Sequence, residues 1–153
     1  MRVLELKIPP VAVVLVTAVL MWFSSRAAPT LGLVVPARDL VALCLVVAGA
    51  VTSILGVVSF RRAGTTVNPL TPGASSTLVR YGVYTLTRNP MYLGFLMLLL
   101  GWAIYMSNAF ALLFVPVFVA YMNRFQIEPE EKALRSRFGQ AFVTYTTCVR
   151  RWL

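Results

Sequence analysis

The chain has 153 residues, of which 59% are hydrophobic and 12% charged, with a mean hydropathy of +0.79. A soluble domain carries about 45–50% apolar and about 25% charged residues. This composition therefore describes an integral membrane protein and excludes a soluble globule, a disordered chain, a collagen and a disulfide scaffold. The formal charge of +9, from 14 Lys and Arg against 5 Asp and Glu, reads as an orientation signal and an attraction to anionic lipid, not as a nucleic-acid surface.

In chain order, four apolar stretches are read as transmembrane helices, at about residues 8–23, 40–60, 91–106 and 109–125. Ser25-Arg26-Ala27 imitates a signal-peptidase site, but the chain begins at Met1 and the first stretch is read as an uncleaved helix. Only Ser107-Asn108 separates the third and fourth stretches. One continuous helix there, at about 1.5 Å per residue, would measure roughly 50 Å against a hydrocarbon core of ~30 Å, so a tight helical hairpin is expected. Its arms are short for a span, which predicts tilt, and Pro116 is expected to bend the second.

Four crossings divide the basic residues unevenly. Arg2, Lys7, Arg61, Arg62, Arg80, Arg88, Arg124, Lys132, Arg135, Arg137, Arg150 and Arg151 share one side, and Arg26 and Arg38 the other. That bias predicts both termini and the 61–90 loop in the cytoplasm, with the protein in the inner membrane. The loop is punctuated by Gly64, Asn68-Pro69, Thr71-Pro72-Gly73 and Asn89-Pro90, and its length in so small a chain points to function. In the cytoplasmic segment 126–153, Leu134, Phe138, Ala141, Phe142, Tyr145 and Val149 recur at intervals of three and four. This spacing predicts one amphipathic helix along the membrane or capping the bundle, with Pro129 in its first turn and Glu130-Glu131 facing its positive end. The reading is a single all-α membrane domain over residues 1–153.

The chain lacks histidine, and Cys44 and Cys148 have no ligand spacing, so zinc, haem and Ser-His-Asp chemistry are excluded and no metal is expected. Cys44 is read as a small buried hydrophobe.

Gly82-Val83-Tyr84, then Arg88-Asn89-Pro90-Met91-Tyr92-Leu93-Gly94 opening the hairpin, then Glu130-Glu131-Lys132-Ala133-Leu134, Phe138-Gly139 and Tyr145 resemble the isoprenylcysteine carboxyl methyltransferase family. The wider group includes the phospholipid methyltransferases. Thr65-Thr66-Val67-Asn68-Pro69 is similar to the bacterial branch, and the likeness extends over roughly residues 60–153. It implies methyl transfer from S-adenosylmethionine to an amphiphilic, lipid-like acceptor at the cytoplasmic surface. A prenylcysteine carboxylate is the acceptor the family name suggests, and an amine-bearing lipid is equally compatible.

The residues themselves suit that cofactor. Arg88 offers a fork for its carboxylate, Glu130 or Glu131 can receive its ammonium or ribose hydroxyls, and Gly94 leaves room for close approach. Tyr92 supplies an aromatic face near a sulfonium. Tyr84, Asn89 and Pro90 complete the implied cofactor set, and Arg151 and Tyr145 are the catalytic candidates. Simpler roles exist for each. Arg88 also reads as a positive-inside anchor, the tyrosines as interfacial belt residues, Glu130-Glu131 as dipole partners, and Gly94 and Gly101 as helix-packing sites.

Two positions depart from the family pattern. Many members have histidine where this chain has Asn89, which keeps a donor and an acceptor but does not titrate. The best-known members have an arginine before the residue matched by Val149; here it is Cys148, and Arg151, one turn further along a continuous helix, is expected to stand in. Two other readings fit the same residues: a non-catalytic membrane protein retaining the fold, favoured by Cys148 and Asn89, and a related reductase using a nicotinamide cofactor, for which no glycine-rich cradle is seen.

Overall fold

The computed structural model describes residues 5–29, 32–65 and 76–153, and among these the chain is helical, without a strand. The order is α1 (Pro10–Ala27), α2 (Arg38–Arg62), a 3-10 turn (Gly82–Thr85), α3 (Pro90–Met106), α4 (Ala109–Met122), a π turn (Asn123–Ile127), α5 (Glu128–Phe138) and α6 (Gln140–Cys148). Gly32 and Asn108 form an isolated antiparallel bridge. Thr66 to Pro69 of the bacterial-type motif, and Thr71-Pro72-Gly73, lie outside the described residues.

Among the described residues three helices are long and apolar enough to cross a membrane: Pro10–Ala27, Arg38–Arg62 and the run Ala109–Phe138, in which α4, the π turn and α5 follow without a break; Pro90–Met106 is apolar but shorter. Leu15, Leu43, Ile54 and Leu113 lie exposed on their outer faces, a surface suited to lipid. Hydroxyls inside the spans bond back one turn, Thr17 to the Val13 carbonyl at 2.7 Å and Thr52 to that of Ala48 at 2.7 Å, so neither is left unpaired in an apolar setting.

Proline lies in the first turn of α1 and of α3, as Pro10 and Pro90, where its missing N–H has no partner to lose. Ser107 ends α3 in the left-handed region at φ 50. The Asn108 side chain then caps α4 by accepting from the Phe110 amide at 2.9 Å.

Helix association in lipid relies on close packing more than on hydrophobic burial. The α2–α3 seam is built on glycines seven apart on each helix: a Cβ on Gly49 would come within 2.6 Å of the Gly94 carbonyl oxygen, and one on Gly101 within 2.9 Å of that of Ala42. Larger side chains fill the space between α1, α3 and α4, where Met21, Tyr92, Leu99, Ala103, Phe118 and Met122 are buried together.

The ends of the bundle are distinct. At the far end Leu33 N–H donates to the Ser107 carbonyl at 2.6 Å, and Asn108 to that of Ala28 at 2.9 Å. At the basic end Leu6 N–H donates to the Phe125 carbonyl at 3.0 Å, Arg124 pairs with Glu5 at 2.9 Å, and Gln126 donates to the Ile8 carbonyl at 2.6 Å.

Two expectations are corrected. The C-terminal segment is not one amphipathic helix, because Gly139, at φ 51 and ψ −126, breaks it into α5 and α6; the three-and-four spacing runs through the break, so periodicity gave no sign of it. Cys44 is exposed, not buried, since α2 turns that side outward while Ala42, Gly49 and Gly56 face inward.

Candidate active site

The candidate residues converge at the basic end, where the start of α3, the start of α5, α6 and the C-terminal tail meet. Arg88 and Asn89 precede α3, and Tyr92 lies in its first turn. The Tyr92 hydroxyl donates to Glu130 Oε1, which ties α3 to α5. Glu131, the next residue, turns to different partners. Its carboxylate takes Arg88 Nη1 at 3.1 Å and receives Arg151 in a forked pair, Nε at 3.2 Å and Nη2 at 2.7 Å. Adjacent helical residues project about 100° apart, which is why the two glutamates have separate partners.

Arg88 is 15% exposed, and its Nε is buried with no hydrogen-bond partner among the described residues. An unmet buried donor on a cation is costly, and such a group is matched by an anion. The Glu131 pair raises the Arg151 guanidinium further above its ordinary range, chiefly through the hydrogen bond.

Tyr84 is buried, its ring edge-on to Phe60 at 5.3 Å between centroids, and its carbonyl accepts the Tyr145 hydroxyl at 2.7 Å. Burial raises both phenols, Tyr145 to about 12 and Tyr84 further, so each is a neutral hydroxyl at physiological pH. Tyr145 thus holds α6 against the 3-10 turn through its hydroxyl. Pro90 is buried at the head of α3.

Three site candidates have contacts that the residue pattern did not convey. Gly94 faces α2, where an added Cβ would meet Ser53 and the backbone of Gly49; its missing side chain makes room for a helix. Asn89 donates through Nδ2 to the Arg151 carbonyl at 2.8 Å. Arg151 is not one turn along a continuous helix, because α6 ends at Cys148 and Val149 is extended; it reaches Glu131 from the tail. Cys148 is exposed.

Sequence reasoning missed Thr87, which is 1% exposed, accepts from the Asn89 amide at 3.2 Å and donates to the Arg151 carbonyl at 3.2 Å. A threonine two residues before an Asn-Pro step is the available signal, as its hydroxyl can cap the turn. Also missed was Asn123 in the π turn, which accepts from Trp152 Nε1 at 3.0 Å. A π turn inside an apolar helix leaves little sequence trace and is frequent at functional sites.

Residues 37–141 match the family described as phospholipid methyltransferase. The chain belongs to this family. A relative in Haemophilus influenzae, described only as an uncharacterized protein, is 44% identical over 63 residues, which is 41% of this chain and all of the relative. No solved structure gives a significant match. Membership makes the protein a membrane methyltransferase by kind, and no group of three or more His, Cys, Asp or Glu suited to a metal occurs among the described residues.

Proposed function

We propose that this family member transfers a methyl group from S-adenosylmethionine to an amphiphilic acceptor at the cytoplasmic face of the inner membrane. In this reading four helices cross the bilayer, α3 and α4 form a tight hairpin, and both termini are cytoplasmic. The observation that carries it is Arg88, a cation anchored through one nitrogen by Glu131 while its buried Nε awaits a partner. The methionine end of the cofactor carries a carboxylate and an ammonium, and this corner sets an unmet cationic donor beside the Glu131 carboxylate and the Glu130 carboxyl, which burial pushes up to about 8.

The bound cofactor supplies an activated methyl on a sulfonium, already a good leaving group, so the protein's part is positioning. Arg88 holds the carboxylate, Glu130 accepts the ammonium or a ribose hydroxyl, and Tyr92 presents its ring. Glu131 and Arg151 keep Arg88 in place. A carboxylate acceptor is ionised and already nucleophilic, so its methylation releases no proton and needs no histidine.

For the acceptor, an apolar groove of about 340 Å³ lies between α2 and α3, lined by Ser53, Ile54, Val57, Val58, Arg61, Met91 and Phe95. Met91 adjoins Tyr92, and Arg61 supplies the one charge. This supports an acceptor with an anionic group close to its tail, such as a prenylated cysteine carboxylate or a phospholipid.

Calorimetric titration of the detergent-solubilised protein with S-adenosylhomocysteine tests the reading. Saturable binding is expected, and its absence would overturn the proposal. Transfer of labelled methyl to a prenylcysteine analogue or to phospholipid then separates an enzyme from a binding protein without turnover, the alternative that Cys148 favours.

A further inference from the structure

The segment after α6 leaves the helix and is bound through both its backbone and its side chains. Val149 is extended, at φ −126 and ψ 132, and carries the chain back to the start of α3. There the Arg88 N–H donates to the Arg150 carbonyl at 3.0 Å. The Arg151 carbonyl accepts from both Thr87 Oγ1 at 3.2 Å and Asn89 Nδ2 at 2.8 Å. One residue on, Trp152 donates to Asn123 at 3.0 Å and packs against the core.

We infer that residues 149–153 are a latch held by the Thr87-Arg88-Asn89 turn, and that Thr87 and Asn89 are positioning residues that act on the cofactor site through this latch. The inference rests on the methyltransferase reading above. Ordering an extended segment outside a helix costs conformational entropy, which its contacts must offset. Two of these anchors lead to Arg88. Its amide is taken by Arg150, its guanidinium by Glu131, and Glu131 is itself held by the forked contact from Arg151.

The Arg151 carbonyl has two lone pairs, and Thr87 and Asn89 supply a donor for each. Thr87 is buried, so an undocked tail would leave its hydroxyl without that acceptor. Releasing the tail therefore frees the Arg88 backbone and removes one of the two cations that orient Glu131. The aim of the Arg88 donor then loosens, although no tail atom needs to touch the cofactor. Asparagine suits this task because it calls for a donor and no titration.

The test compares the wild-type chain, a chain ending at Val149, Asn89→Leu and Asn89→His, each read by S-adenosylhomocysteine calorimetry and by hydrogen exchange of peptides spanning Arg88 and the tail. Truncation is expected to weaken binding about tenfold and to deprotect the Arg88 amide; Asn89→Leu should weaken it about threefold or more, the range for one lost hydrogen bond. Asn89→His should restore binding to within about threefold of wild type, because an imidazole N–H can replace the amide donor. If Asn89→Leu does not fold, Thr87→Val carries the same comparison. A deprotected tail with unchanged affinity would overturn the latch alone. No binding by the wild-type chain would overturn the methyltransferase reading and the latch with it.

Discussion

The two ends of the bundle are closed by different chemistry. At the far end the turns are fastened through backbone groups and one asparagine: Leu33 to Ser107, Asn108 to Ala28, and Asn108 capping α4. At the basic end, beside backbone contacts such as Leu6 to Phe125, long charged side chains add ion pairs: Arg88 and Arg151 on Glu131, and Arg124 on Glu5. Backbone closure brings no net charge to meet an ionic ligand, whereas a carboxylate shared by two guanidiniums can exchange a partner for one. In the proposed reading the second end is the one that binds, and the α2–α3 seam packs the two helices that join the ends.

The largest expected effect comes from breaking that seam. Gly94→Leu would drive a side chain into Ser53 and the backbone of Gly49, and because backbone cannot move aside cheaply it should cost on the order of 3 kcal/mol or more. Loss of monodisperse protein in detergent is the readout; a variant as stable as wild type would show that the seam is slack.

A second experiment sets one end against the other. Arg88→Ala should weaken S-adenosylhomocysteine binding by about 1.5–3 kcal/mol, the range for a hydrogen bond to a charged group. Asn108→Ala, which removes a helix cap and the bond to Ala28, should cost about 1 kcal/mol of stability and leave binding unchanged. Calorimetry and thermal unfolding on the same samples check both. Equal losses of affinity would erase the functional distinction between the ends.

The smallest effect is pH-dependent. Burial pushes the Tyr145 phenol up to about 12, against the lowering influence of Arg88 and Arg80. Raised above its ordinary value of about 10, the phenol contributes stability that is full below about pH 10 and is lost as pH rises through about 12. Tyr145→Phe forfeits that contribution and the bond to the Tyr84 carbonyl. It should be destabilised by about 1 kcal/mol near neutrality, with the gap from wild type closing in strong alkali. Thermal unfolding across that range measures it, and a constant gap would mean that the phenol is solvated.

Much of the framework was legible in the chain. Apolar runs bounded by Pro10, Pro90 and Ser107-Asn108 mark α1, α3 and the α3–α4 junction within a few residues, because lipid demands continuous apolar helix and proline and asparagine punctuate it locally. The Arg88-Asn89-Pro90 and Glu130-Glu131 motifs were identifiable through their resemblance to a family pattern. Their mutual contacts were not. That Glu131 takes Arg88 while Glu130 takes Tyr92 depends on how α5 is rotated over α3, and rotation is set by packing.

The sequence by itself determined that this is an apolar, basic, helical membrane protein of a methyltransferase kind, since composition and short motifs are local properties. Only the tertiary structure decided what particular residues do. Gly94 yields space to α2 because two backbones approach there. Cys44 faces outward because glycines and alanine claim the inner side of α2. Arg151 meets Glu131 because Gly139 and the extended Val149 turn the tail back onto α3. Each outcome is a contact between segments far apart in the chain, and residue spacing along one helix carries no record of which distant surface will meet it.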